Sequence, residues 1–546
     1  MKHNKLFLFL TIVGFLCASA LRAREAHEHQ HDSSEKLGRV NFPVSCSAAA
    51  QQQFNRAVAL LHSFWYEEAE KVFTEVTVTD LNCAMGYWGV AMSNYHPVWA
   101  PPTPAELEKG SAAVEKAKST GAKTERERDY IAAIEAFYKD SDKLDHRTRA
   151  LAFEKAMGQV HMRHPEDREA AIFYALSLLG TALPTDKSYA NQKKAAEILN
   201  KVLSEEPEHP GVAHYIIHSF DYPQLAYLAL PAARTYSKIA PSSPHALHMP
   251  SHIFTRLGLW QESIQSNLAS TAAAKSWVAK AHPGAASFEQ LHSMDYLAYA
   301  YLQGAQDQKA KGVVDEVSTI TKVDMENFAA AYAFAAIPAR YALERLNWSE
   351  AAALKVHPAA FPWGRFPFAE AITYFSHAIG AARVGNVSAA RKDIEKLASL
   401  HNTLVEAKNE YWATQVEIQH KGAAAWLALA EGKDEEALKL MRAAADLEDS
   451  TEKHPVTPGP IVPARELLGE MLLELNRPEQ ALKEFEASQR VEPNRFRSIY
   501  GAARTAELAG DPEKARTYYA KLISLCEQGD TERPELKQAK TFLAKK

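Results

Sequence analysis

The sequence predicts an all-α protein, a right-handed superhelical solenoid of stacked helical hairpins, and three observations predict it. Strand signals are nearly missing: few Val, Ile or Thr runs alternate with polar residues, and no Asn-Gly hairpin turn occurs. Small residues recur at a spacing near 34, each just inside an amphipathic stretch. Length and composition suit a repeat array, with 546 residues, 24% charged and 47% hydrophobic, and a net charge of −5. That balance excludes wholesale disorder and a disulfide-dense miniprotein. It also lacks the basic surplus of a nucleic-acid-binding surface, so no nucleic-acid partner is expected.

The elements follow in order. Residues 1–23 read as a signal peptide: Lys2 and Lys5 are followed by an apolar core over 6–16 and by Ala18-Ser19-Ala20, with a second cleavage site ending at Ala23. The protein is therefore expected to be exported, periplasmic or secreted. The apolar core is too short for a membrane span, and no other stretch reaches 18 uninterrupted apolar residues, so no transmembrane segment is expected. Residues 24–44 carry His27, His29 and His31 without periodicity and read as a mobile His-rich arm, either solvated or picking up metal ions weakly.

Hairpins begin in 45–100, where Ala69 and Phe73 anchor a second helix. Residues 101–190 are helical by pattern but match the repeat poorly. In 191–360 the anchors are Ala195, Ala229, Ser263, Ala310 and Ala351, and in 361–546 they are Ala390, Ala437, Ala481 and Ala515. The last two lie 34 apart, inside Pro478-Glu-Gln-Ala-Leu-Lys-Glu-Phe and Pro512-Glu-Lys-Ala-Arg-Thr-Tyr-Tyr. Three Pro-rich stretches, 97–104, 361–367 and 454–463, cannot continue helices. They either sit over a binding face or only re-aim the superhelix.

This grammar of small and aromatic residues with a later Pro resembles the tetratricopeptide repeat (TPR). The stretches His-Ser-Phe-Trp-Tyr-Glu-Glu-Ala (62–69) and His-Ala-Leu-His-Met-Pro-Ser-His-Ile-Phe (245–254) are similar to those of exported bacterial TPR proteins. The resemblance implies an interaction solenoid without implying a reaction. Stacking also places Cys46, ahead of the first helix, beside Cys83, at the start of the next first helix. A Cys46–Cys83 disulfide is expected there, leaving Cys526 as a buried apolar thiol in the last helix.

In such repeats a concave groove is lined by one stripe of each first helix. The register set by Ala229, Pro241, Ser263 and Ala310 puts His214, His218 and Asp221, then His245, His248 and His252, then His292, Asp295 and Tyr299 on that stripe. His62 and His96, 34 apart, extend the lining, although Pro97 also suits His96 to a turn. Glu466, Glu470 and Arg504 line it near the C-terminus.

Two functions compete. One is an exported binding protein whose groove holds a protein or peptide. The other is a metal-binding protein or metal-dependent enzyme, with His214, His218, Asp221, His245, His248, His252 and His292 as ligands to zinc or copper, because i,i+4 histidines present two ring nitrogens on one helix face. G-x-S-x-G, phosphate-loop, dinucleotide-binding, H-E-x-x-H and C-x-x-C motifs are all absent, and no catalytic residue is named.

Overall fold

The computed structural model describes residues 35–98 and 100–545. The expected signal peptide and residues 24–34 of the expected arm lie outside the described residues. The architecture is all-α: helical hairpins succeed one another from Ala48–His62 and Tyr66–Thr79 to Phe496–Leu508 and Pro512–Leu525, closed by Pro534–Leu543. Among the described residues the β-structure is one isolated bridge, Ala286 with Val323.

The small anchors explain the stacking. Ala69, Ala195, Ala229, Ser263, Ala310, Ala351, Ala390, Ala437, Ala481 and Ala515 are all fully buried. A larger side chain there would hold the paired helices apart. The tight turns follow one rule. A residue with positive φ stands two places before the second helix, as at Phe64, Gly258, Ala305, Gly385 and Gly510. The next amide then reaches back to the carbonyl five residues earlier, as in Trp65 to Leu60, Leu259 to Phe254 and Asp511 to Ala506, which closes the preceding helix with a Schellman cap.

Several expectations are corrected. Residues 36–44 are built into the fold rather than extending as an arm: Phe42 is fully buried against Phe54, Trp88 and Tyr130. The second helix anchored by Ala351 is only Trp348–Ala351, and chain containing a cis His357–Pro358 bond replaces the rest. Helices run through 104–181 as hairpin-like pairs that continue the array. Cys46 and Cys83 form the expected disulfide. Cys526 caps the penultimate helix and is half-buried, instead of lying buried in the last one.

The superhelix closes on itself. Trp260 donates its indole N–H to Asn494 O at 2.8 Å, Lys187 donates to Thr451 O at 2.6 Å, and Arg533 donates to Leu302 O at 3.0 Å. These bonds join residues more than 200 positions apart. The concave side is thus an interior, and the loop 451–463 threads into it.

Candidate metal centre

Four neighbouring elements bring the histidines together. His214 and His218 lie on Pro210–Phe220, His245 and His248 on Pro244–His248, His252 on Pro250–Arg256, and His292 on Phe288–Gln303. Pro250 lacks an N–H, so the helix is interrupted between the second and third of these. Around that break, His245, His248 and His252 divide between two sites. His214, His218 and His245 form one triad, and His248, His252 and His292 form another, with the candidate ligand atoms of each set within 4.8 Å of one another. All six are buried, and His218, at 8%, is the most exposed.

Outer contacts set the ring orientation. His214 donates Nδ1–H to the carbonyl oxygen of His62 at 2.6 Å, so its Nε2 carries the lone pair. That Nε2 faces His218 Nε2 at 3.1 Å. In the second triad Asn267 donates to Ser263 O, which turns its Oδ1 towards His248 Nδ1, 2.7 Å away. His252 donates Nδ1–H to Asp221 Oδ2 at 3.0 Å, and His248 Nε2 and His252 Nε2 meet at 3.0 Å. The ε-nitrogens of His214, His248 and His252 are therefore aimed inward by a partner on the opposite ring edge.

Burial drives His214, His218, His248, His252 and His292 to the neutral form. It pushes His214, His218, His248 and His292 well below the ordinary imidazole range, with neighbouring imidazoles adding to the effect. Burial lowers His252 less, to about 4, because the Asp221 carboxylate opposes it. Neutral imidazoles offer lone pairs to a cation without first losing a proton.

Asp221, expected as a ligand, is drawn away from the cluster centre. Burial opposes its charge, but Lys453 and Arg256 hold its carboxyl well below the carboxylate range. Its oxygens accept from Lys453 Nζ at 2.6 Å and Arg256 Nε at 3.0 Å, as well as from His252. Asp221 orients His252 from behind.

The remaining expected groove residues do not line an open groove. His62 is buried, with Nε2 against Glu169 at 2.9 Å and Nδ1 against the Tyr215 hydroxyl at 2.9 Å. Glu169 also meets His209 at 3.0 Å. Burial disfavours the Glu169 charge, but His209 and His62 hold the carboxyl low, and burial keeps His62 itself depressed. We assign an ionised Glu169 receiving imidazole N–H groups from His62 and His209, and the candidate ligand atoms of these three side chains also lie within 4.8 Å of one another.

His96 is half-buried, and its ring bonds Ser93 O at 3.1 Å, the turn role that Pro97 suggested. Asp295 receives a hydrogen bond from Arg340 at 3.2 Å, and burial lifts its carboxyl to about 6. Tyr299 and Glu466 are buried around Arg495, which donates at 2.7 Å to the Tyr299 hydroxyl and at 2.7 Å to Glu466. Glu470 pairs with Arg497, and Arg504 with Glu507 on a half-exposed helix face.

Sequence reasoning missed His209, Glu169, Asn267, Tyr296 and Lys453. Only Lys453 had a signal, as the base at the mouth of the third Pro-rich stretch. That stretch covers the site: Tyr296, which packs on the His248 and His252 rings, donates to Thr457 O at 3.0 Å, and Arg340 donates to Gly459 O at 2.8 Å. The first stretch reaches it too. Val98, Leu179, His218, Asp221, Tyr222, Lys453 and Pro455 line a cavity of about 30 Å³.

Fold and site together define a class: a helical-repeat solenoid with an interior histidine centre. No protein-family model matches the chain, and a search of curated proteins finds no match either. Solved structures similar to it include the APC/C hetero-tetramer Cut9–Hcn1, at 11% identity over 91% of this chain and 83% of that one, with a TM-score of 0.34. Yeast Tom70 is 11% identical over 91% of this chain and 95% of its own, with a TM-score of 0.32. The human IFIT1 dimer with PPP-AAAA is 12% identical over 88% and 96%, with a TM-score of 0.37.

Proposed function

We propose that this protein binds transition-metal ions in the interior of its solenoid. The observation that supports the reading is the convergence of six buried imidazoles in two triads, with His214, His248 and His252 oriented from behind. Zinc and copper both suit such donors. The test is elemental analysis of protein purified without a His-tag or chelator and equilibrated with either ion. Stoichiometric metal, lost when His214, His218, His248 and His252 are replaced by Ala, is expected. Metal-free protein after equilibration would sink the reading.

A second reading, a binder of an extracellular protein or peptide, is favoured by a separate cleft of about 520 Å³. Tyr332, Phe368, Tyr411 and Trp412 wall one part of it, and Arg256, Glu448, Glu452 and Lys453 supply polar groups. Aromatic walls with a few charged groups suit an extended peptide. A Trp412→Ala variant that keeps its metal but loses peptide capture would support this reading, and capture unchanged in that variant would remove it. We also read the chain as exported. The disulfide supports that compartment, and mass spectrometry of the mature N-terminus tests it: a start after Ala20 or Ala23 is expected, and a retained Met1 would refute it.

A further inference from the structure

We propose that the two triads hold a pair of copper ions that binds dioxygen between them. This rests on the reading of the cluster as a metal centre, and names both the metal and its small-molecule ligand.

The triads share one compartment. The His218 and His252 rings stand 6.1 Å apart, and so do the His245 and His248 rings, so two contacts join one triad to the other. Two ions held by them would be neighbours, as in the two-metal sites that clamp a substrate between ions about 3.5–4 Å apart.

The donors select the metal. Each triad offers three imidazoles and no thiolate. Two of the nearby carboxylates are committed elsewhere: Asp221 to Arg256, Lys453 and His252, and Asp295 to Arg340. Glu289 stands 3.5 Å from His245 Nδ1. Glu289 stands beside the first triad only, so no carboxylate bridges the two ions and their mutual repulsion is only partly compensated. By Coulomb's law it is about fourfold larger for two dications than for two monocations at the same separation. The nearby cations Lys453 and Arg256 add to that bias. Copper(I) is a monocation that imidazoles bind well and that accepts three ligands, so the site favours a copper(I) pair over a zinc pair.

The space beside the cluster bears on the ligand. The cavity beside His218 is about 30 Å³, room for one water-sized molecule and not for an organic substrate. Val98, Leu179 and Pro455 make part of its wall apolar beside the polar His218, Asp221, Tyr222 and Lys453, and a small uncharged diatomic is compatible with both. On binding, each copper(I) gives one electron to dioxygen. Both metals become copper(II), and the reduced dioxygen bridges them. No proton moves, and loss of dioxygen returns both electrons.

The test uses the full chain, loaded anaerobically with copper(I), cleared of loose ions by a chelator, counted for metal and then exposed to dioxygen. Two coppers per chain are expected, with uptake of one dioxygen per pair. A near-ultraviolet absorption band should appear without an electron paramagnetic resonance signal, because the two copper(II) spins couple. Two coppers that give the full signal of isolated copper(II), or that take up no dioxygen, would overturn the pair and leave the metal-centre reading intact. Failure to retain any copper or zinc would overturn both.

Two variants keep the outcome readable. His292→Ala should hold one copper and take up no dioxygen, and uptake persisting in it would overturn the bridge. Asn267→Ala keeps all six imidazoles, so it tests the centre without deleting a ligand. It should weaken copper binding about 10–100-fold, and unchanged affinity would overturn the assigned orientation of His248.

Discussion

Two stretches of the same interior are filled by opposite chemistry. Around His214–His292 the inward positions carry neutral imidazoles whose ε-nitrogens face one another. Around Arg495 they carry charges that already match: Arg495 donates to Glu344 at 2.5 Å and to Glu466 at 2.7 Å, Arg497 meets Glu470, and Arg533 meets Asp307. The second set is a finished electrostatic unit that ties distant repeats together. In the first, the Nδ1–H assignments of His248 and His252 leave their ε-nitrogens facing each other as acceptors. Burial alone does not mark a functional cluster. What marks one is burial with lone pairs that the protein leaves mutually facing.

The largest expected effect comes from acid. The depressed histidines are neutral when folded but take up protons when unfolded, so the unfolded chain binds more protons below pH 6.5 and stability falls as the pH drops. The loss should run at about 1.4 kcal/mol per pH unit for each such histidine, from pH 6.5 down to about 4 for His252. Chemical denaturation of metal-free protein at pH 7.0 and pH 5.5 (both chosen inside or just above that window) measures it. Equal midpoints would erase the contrast between the two regions.

Arg495→Ala should cost about 3–5 kcal/mol, because Glu344 and Glu466 are left as uncompensated buried charges. Its metal content should match that of the unchanged protein, and loss of metal would show that the two regions are not independent. Reducing the Cys46–Cys83 disulfide should cost about 2–4 kcal/mol, read as a lower denaturant midpoint with the histidine centre still binding metal. The smallest effect belongs to His96→Ala. That side chain serves a local turn, so the loss should stay near the ~1 kcal/mol of one hydrogen bond. A larger loss, or altered metal binding, would put His96 back into the site.

Much of this was legible in the sequence. The anchors Ala69 to Ala515 predict the hairpins because only small residues permit close helix approach, and the register they set aligns the histidines on one stripe. The Cys46–Cys83 bond followed from the same stacking. The groove did not follow, because its openness depends on how many repeats complete a turn and on contacts such as Trp260 with Asn494. Nor did the role of Asp221, whose partner Lys453 arrives from a loop 232 residues away.

By itself, then, the sequence determined the helical class, the staple and the identity of six inward-facing histidines, all consequences of local periodicity. Tertiary structure alone decided that the stripe divides into two triads beside Pro250, that Asp221 stands behind the imidazoles, and that the C-terminal carboxylates are consumed by arginines. Periodicity assigns a side chain to a face of its helix. What that face meets is set by the closure of the superhelix, which brings together groups hundreds of residues apart.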